Sequence, residues 1–135
     1  MVIDRLGTLL SERDVVYGVI CRDATLTEIE LMAQEGYHIV WLDLEHGPQS
    51  TEEAIRLGRT ITHLGMVPLA RITELTRTHV QRLLDGGMQV LTLPDVRDVG
   101  EAAQFVQLGK FPPLGQRGVG STTASTSTAP FWVLA

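Results

Sequence analysis

Short runs of apolar and β-branched residues alternate along the chain with longer stretches whose apolar positions recur every three or four residues. Residues 15–20 (VVYGVI), 38–44 (HIVWLDL), 66–72 (MVPLARI) and 88–93 (MQVLTL) read as strands. Between and after them the spacing predicts helices, with stripes at Leu26, Ile29, Leu31, Met32 and Ala33, then Ala54, Leu57, Ile61 and Leu64. Val80, Leu83 and Leu84 form a third stripe, and Ala102, Ala103 and Val106 a fourth. Each stripe starts behind a capping residue: Thr25, Ser50, Thr76 and Asp98. Glu28, Glu53 and Glu101 follow three of these caps at the spacing that lets cap and glutamate satisfy each other's backbone donors. Gly36, Gly65, Gly86 with Gly87, and Gly109 are expected to end the helices. A further short helix is predicted over residues 3–11, before the first strand.

The fold class is therefore α/β, four βα units behind a short N-terminal helix. Such an order suits parallel strands joined by right-handed crossovers. Two architectures remain open, a doubly wound sheet and half of a (βα)8 barrel, a fold of roughly 250 residues. The turn after the first strand, Cys21-Arg22-Asp23-Ala24, lacks a glycine-rich phosphate fingerprint, which weakens a dinucleotide-binding reading. Residues 1–120 form the expected domain. Residues 110–120 carry loop chemistry, and residues 121–135 read as a flexible tail that opens with a hydroxyl-rich run (STTASTST). Its last residues, 130–135 (PFWVLA), are apolar, and such a tail is expected to dock or to mark a contact.

Composition narrows the function. The chain has 135 residues, 44% hydrophobic, with a formal net charge of −5. That suits a packed domain and excludes a disordered one. A net negative chain with dispersed arginines offers nucleic acid no basic patch. No apolar run nears the ~20 residues of a membrane span, and Asp4 and Arg5 interrupt the N-terminal apolar stretch, so no signal peptide is read. The cytoplasm is the expected compartment. Cys21 has no second thiol to pair with and reads as a small buried residue.

In α/β folds the site lies beyond the carboxyl ends of the strands. The second strand ends in Asp43, Glu45 and His46, and alternation puts both carboxylates on one face. Gathering them is costly unless they have a task, the plainer alternative being a solvated loop. Arg71 ends the third strand in an apolar context, where its guanidinium could grip a carboxylate with two parallel hydrogen bonds or pair with Asp43 or Glu45. Asp85 ends the third helix, where the dipole disfavours its charge, so a compensating partner is expected. His38, His63 and His79 read as surface or strand-edge residues.

Residues 41–48 (WLDLEHGP), 67–71 (VPLAR), 83–87 (LLDGG) and 111–120 (FPPLGQRGVG) together resemble the motifs of the HpcH/HpaI aldolases, in the family's order and at about its spacing. The resemblance runs from near residue 5 to about residue 121. It implies the N-terminal half of a (βα)8 barrel and a pyruvate-type carbon–carbon lyase. The enzyme would run reversible aldol cleavage and addition between a 2-oxo acid and an aldehyde, assisted by a divalent metal (Mg, Mn or Co). No lysine Schiff base is implied, and the single lysine, Lys110, lies in a loop.

Carried over residue by residue, His46 is the base, Asp85 the acid that orients it, and Arg71 the contact to the substrate's oxygens and developing charge. Glu45 and Asp43 stand behind them as supporting groups. Arg117 and Gly118 match a loop beside the site and the subunit interface. The resemblance places the two metal-binding acids at the ends of a fifth and a sixth strand, and the sequence shows no fifth strand. The metal ligands are accordingly expected to be absent from this chain. A homo-oligomer is expected. If two copies closed the eight strands, a metal would need new ligands such as Asp95 or Asp43. The alternative reading is a non-catalytic module that binds a 2-oxo acid or another subunit.

Overall fold

The computed structural model describes residues 4–120 and 132–134. Helix α1 (Arg5–Glu12) leads into β1 (Gly18–Cys21). Then follow α2 (Leu26–Gln34), β2 (Ile39–Asp43), α3 (Thr51–His63), β3 (Val67–Arg71), α4 (Arg77–Asp85), β4 (Val90–Thr92), α5 (Val99–Gly109) and β5 (Trp132–Leu134). Local chemistry sets these limits. The side-chain oxygens of Thr25, Ser50, Thr76 and Asp98 each accept from the backbone N–H three residues on, and Thr25 with Glu28 closes the full reciprocal box. Gly36 and Gly65 take φ of +84° and +88° just past α2 and α3, a conformation that a Cβ makes costly.

All strand pairs are parallel and the sheet order is β1-β2-β3-β4-β5. A doubly wound sheet reverses its order at a switch point. Here spatial order follows chain order, which is how a (βα)8 barrel winds, so the half-barrel alternative is the one realised. The larger core packs Val40, Leu42, Ala70 and Leu91 of the sheet against Ile29, Ile61, Leu83, Leu84 and Phe105 of α2–α5. On the other face, Leu6 and Leu9 of α1 pack against Ile39, Trp41, Val67, Leu69 and Val90. By strand alternation, Asp43, Arg71 and Thr92 continue that second face at the carboxyl ends.

Two expectations are corrected. A fifth strand exists: residues 132–134 pair with β4 in the register Val90↔Trp132, Leu91↔Val133 and Thr92↔Leu134. The tail is therefore not wholly outside the fold. Its apolar end supplies backbone donors and acceptors to an edge that β4 would otherwise leave bare. The hydroxyl-rich run lies outside the described residues. The first strand also starts later than its apolar pattern suggests. At Tyr17 the carbonyl accepts from the backbone N–H groups of His38 and Ile39 at 2.9 and 3.1 Å, while its own N–H donates to a side chain, His38 Nδ1 at 3.0 Å, and the two rings stack 6.0 Å apart.

Candidate active site

Adjacent strands bring Asp43 and Arg71 into register at the ends of β2 and β3. Asp43 is fully buried. Its Oδ1 accepts from Arg71 Nε at 2.9 Å, and its Oδ2 from Arg71 Nη2 at 2.5 Å. Oδ1 also accepts the backbone N–H groups of Glu45 and His46, both at 3.2 Å. The Arg71 guanidinium holds the Asp43 carboxyl below the usual carboxylate range, aided by those backbone donors and opposed by burial. Arg71 Nε also lies 3.2 Å from Glu45 Oε2, whose carboxylate is 3.6 Å from His46 Nε2. Asp43, Glu45, His46 and Arg71 thus form one cluster. The sequence left Arg71 either a substrate grip or an ion pair. The ion pair is made, and it uses the Nε/Nη2 edge of the guanidinium, leaving the Nη1 end of the fork facing away from Asp43.

The turn that carries His46 is clamped from the neighbouring loop. Gln49, almost fully buried, donates from Nε2 to the Ala24 carbonyl at 2.8 Å. Gly47 lies so close to the carbonyl oxygens of Arg22 and Asp43 that any Cβ would collide with them. Arg22 itself, at the end of β1, places its Nε 3.8 Å from Asp43 Oδ2. Sequence reasoning passed over Arg22, Gln49 and Gly47. The available signal was a polar residue directly after a strand, in the position where barrel sites collect.

Asp85 does not join this cluster. It accepts from Arg117 Nη2 at 2.7 Å, and the Arg117 guanidinium carbon sits 4.6 Å above the Phe111 ring. The reason is topological. A crossover helix runs back against its strands, so the end of α4 lies at the foot of the sheet while His46 lies at the head. The inference that Asp85 needs a compensating partner holds, but the partner is Arg117, and the expected brace between Asp85 and His46 is not made within one chain. Asp85 instead lines a cleft of about 390 Å³ along α4, with Arg77, Thr78, Gln81 and Arg82.

His79 is also more enclosed than the sequence implied. Its Nδ1 is 3.5 Å from Thr51 Oγ1, its Nε2 is buried without a partner, and burial lowers its pKa.

Residues 20–130 match the HpcH/HpaI aldolase/citrate lyase family. The chain belongs to that family. It is 32% identical over 115 residues to a 2-keto-3-deoxy-L-rhamnonate aldolase of Salmonella gallinarum, a match covering 85% of this chain and 43% of the relative. The HpcH/HpaI aldolase from Desulfitobacterium hafniense superposes with a TM-score of 0.80 at 32% identity, over 87% of this chain and 46% of that one. The citrate synthase SbnG superposes at 0.77 with 28% identity, over 84% of this chain and 46% of that one. The chain thus spans a little under half the length of these relatives, and its sheet is the corresponding part of their fold. No helix among the described residues is long and apolar enough to cross a membrane.

The divalent metal that the family resemblance implies has no seat among the described residues. No group of three His, Cys, Asp or Glu side chains there could hold an ion. Asp43 is committed to Arg71, and exposed Asp95 faces Arg97 at 3.7 Å. Asp43, with both carboxylate oxygens engaged by Arg71, does not fit as the substitute ligand considered from the sequence.

Proposed function

We propose that this chain carries the proton-transfer and anion-holding part of a pyruvate-type aldolase site. It would act on pyruvate or a related 2-oxo acid, with an aldehyde as the second partner. The observation that carries this reading is the cluster at the strand ends: a buried carboxylate locks a guanidinium in place beside a half-exposed imidazole, in a chain of this family. The free end of Arg71 would hold the 2-oxo acid's oxygens and the negative charge that develops on them. His46 would take a proton from the methyl carbon, and the C–H electron pair would become the enolate. That carbon then attacks the aldehyde carbonyl carbon, and the new alkoxide takes up a proton; cleavage runs the same steps backwards. Glu45, beside His46 Nε2, would favour the imidazolium formed on the way.

Asp85 stands at the opposite end of the sheet, so a role for it beside an imidazole requires a second copy of the chain, in keeping with the proposed homo-oligomer. The mass in solution tests that: a monomer at assay concentration removes Asp85 from the mechanism. The catalytic reading is tested by deuterium exchange at the methyl group of pyruvate, followed by NMR with and without Mg²⁺, Mn²⁺ or Co²⁺. Exchange that disappears in His46→Ala supports it, and exchange that persists removes His46 as the base.

A second reading draws on Arg71, which would hold a 2-oxo acid's oxygens whether or not a proton is then moved. The chain would then be a module that binds a 2-oxo acid without turning it over. Pyruvate binding that Arg71→Lys weakens, with no exchange under any of the three metals, would select it, because a point charge cannot replace the planar fork.

A further inference from the structure

We propose that Thr92 is a substrate-binding residue of the strand-end site, its hydroxyl donating to the oxygen of the 2-oxo acid that Arg71 holds. This rests on the reading of Arg71 as that holder. Thr92 closes β4 and is the register partner of Arg71 on β3, as Arg71 is of Asp43 on β2. Val90 packs on the α1 side of the sheet and Leu91 on the side of α2–α5, so alternation returns Thr92 to the face of Arg71 and Asp43. Three polar side chains thus stand in one row across three strands. Two of them satisfy each other, Asp43 taking Arg71 from the β2 side through Nε and Nη2. The third is different: Thr92 Oγ1 is buried and has no hydrogen-bond partner among the described residues.

A buried hydroxyl with nothing to bond is costly, and valine would fill the same space on a strand without that cost. Such a group calls for a partner that arrives later. The site offers one. Strand β4 flanks β3 on the side opposite Asp43, and adjacent strands lie roughly 4.8 Å apart. A carboxylate or keto oxygen seated on the end of Arg71 that Asp43 leaves open therefore comes within reach of Thr92, whose hydroxyl hydrogen rotates to meet it. The backbone beneath is already tied down, since the Thr92 carbonyl accepts from the Ile72 N–H at 3.0 Å. The donor is thus set in place before the substrate binds, a neutral group beside the charged one where negative charge develops.

The test compares wild type, Thr92→Val and Thr92→Ser in two measurements: calorimetric titration of the 135-residue chain with pyruvate in Mg²⁺ buffer, and urea unfolding without pyruvate. Valine keeps the shape and removes the hydroxyl, whereas serine keeps the hydroxyl and removes the methyl. Thr92→Val is expected to bind pyruvate about tenfold more weakly, the size of one lost hydrogen bond to a charged oxygen. Its unfolding midpoint should stay at or above that of wild type, because the free chain loses no bond. Thr92→Ser should bind within about threefold of wild type. A lowered midpoint in Thr92→Val would overturn the proposal, since the hydroxyl would then support the fold, and so would a serine variant as weak as the valine one. Wild type that binds pyruvate no better than Thr92→Val overturns this inference alone, whereas wild type that does not bind pyruvate overturns the 2-oxo acid reading as well.

Discussion

Asp43 shows how one buried charge organises its surroundings. Four donors converge on it, two from Arg71 and two from the backbone of the turn that follows β2. Asp43→Asn should destabilise the chain by roughly 1.5–3 kcal/mol in urea unfolding, the usual cost of losing hydrogen bonds to a charged group. The pH dependence has a definite sign. The fold lowers the pKa of Asp43, so its stabilisation is complete above the unfolded value of about 3.9 and is lost as pH falls through the folded value. The wild-type acid limb below about pH 4 should therefore be steeper than that of Asp43→Asn, as read by denaturant midpoints. Gly47→Ala makes a different point, because its Cβ would overlap two carbonyl oxygens that belong to backbone and cannot swing away. A loss of about 1–3 kcal/mol is expected, with exchange at pyruvate falling further than stability alone explains, since the displaced turn carries His46.

Helix ends are where element-scale chemistry is clearest. Thr25 caps α2 on both sides of the reciprocal box, through its hydroxyl and through its backbone N–H, which donates to Glu28 at 2.8 Å. Thr25→Ala should cost about 1 kcal/mol, visible as a lower unfolding midpoint. Where α3 meets α4, His79 is half-enclosed beside Thr51, with Glu74 and Arg82 the charged groups that bear on it. Burial lowers its folded pKa, and Arg82 adds to this against the opposing pull of Glu74. The unfolded chain therefore binds a proton near pH 6.5 that the folded chain refuses, and stability falls as pH drops through that value. The unfolding midpoint should drop between pH 7.5 and pH 5.5 in wild type, and the drop should shrink in His79→Gln. An unchanged drop would place the titration on another histidine.

For the whole molecule, the deciding feature is a parallel sheet whose spatial order follows its chain order. Among the described residues, that order leaves β1 with a ladder on one side only, while β4 is covered by the short β5. Replacing residues 132–134 by Gly-Ser-Gly should speed amide exchange in β4, where Leu91 pairs with Val133, and leave β2 and β3 protected. Uniform acceleration across the sheet would mean that β5 supports the entire fold.

Much of this was legible in the chain, for local reasons. Period, caps and glycines are written in neighbouring residues, so the four βα units, the Thr25 box and the glycine stops could be read directly. Strand ends were legible too, and with them the grouping of Asp43, Glu45, His46 and Arg71, because β2 and β3 are consecutive. Tertiary structure decided what depends on distant segments. It turned Asp85 away from His46 and gave it to Arg117, since a returning helix carries its last residue to the far end of the sheet. It brought Arg22 over Asp43 and laid the tail's apolar end along β4. Such pairings follow from which chain segments lie side by side, a property of the packed sheet that no local run of residues encodes.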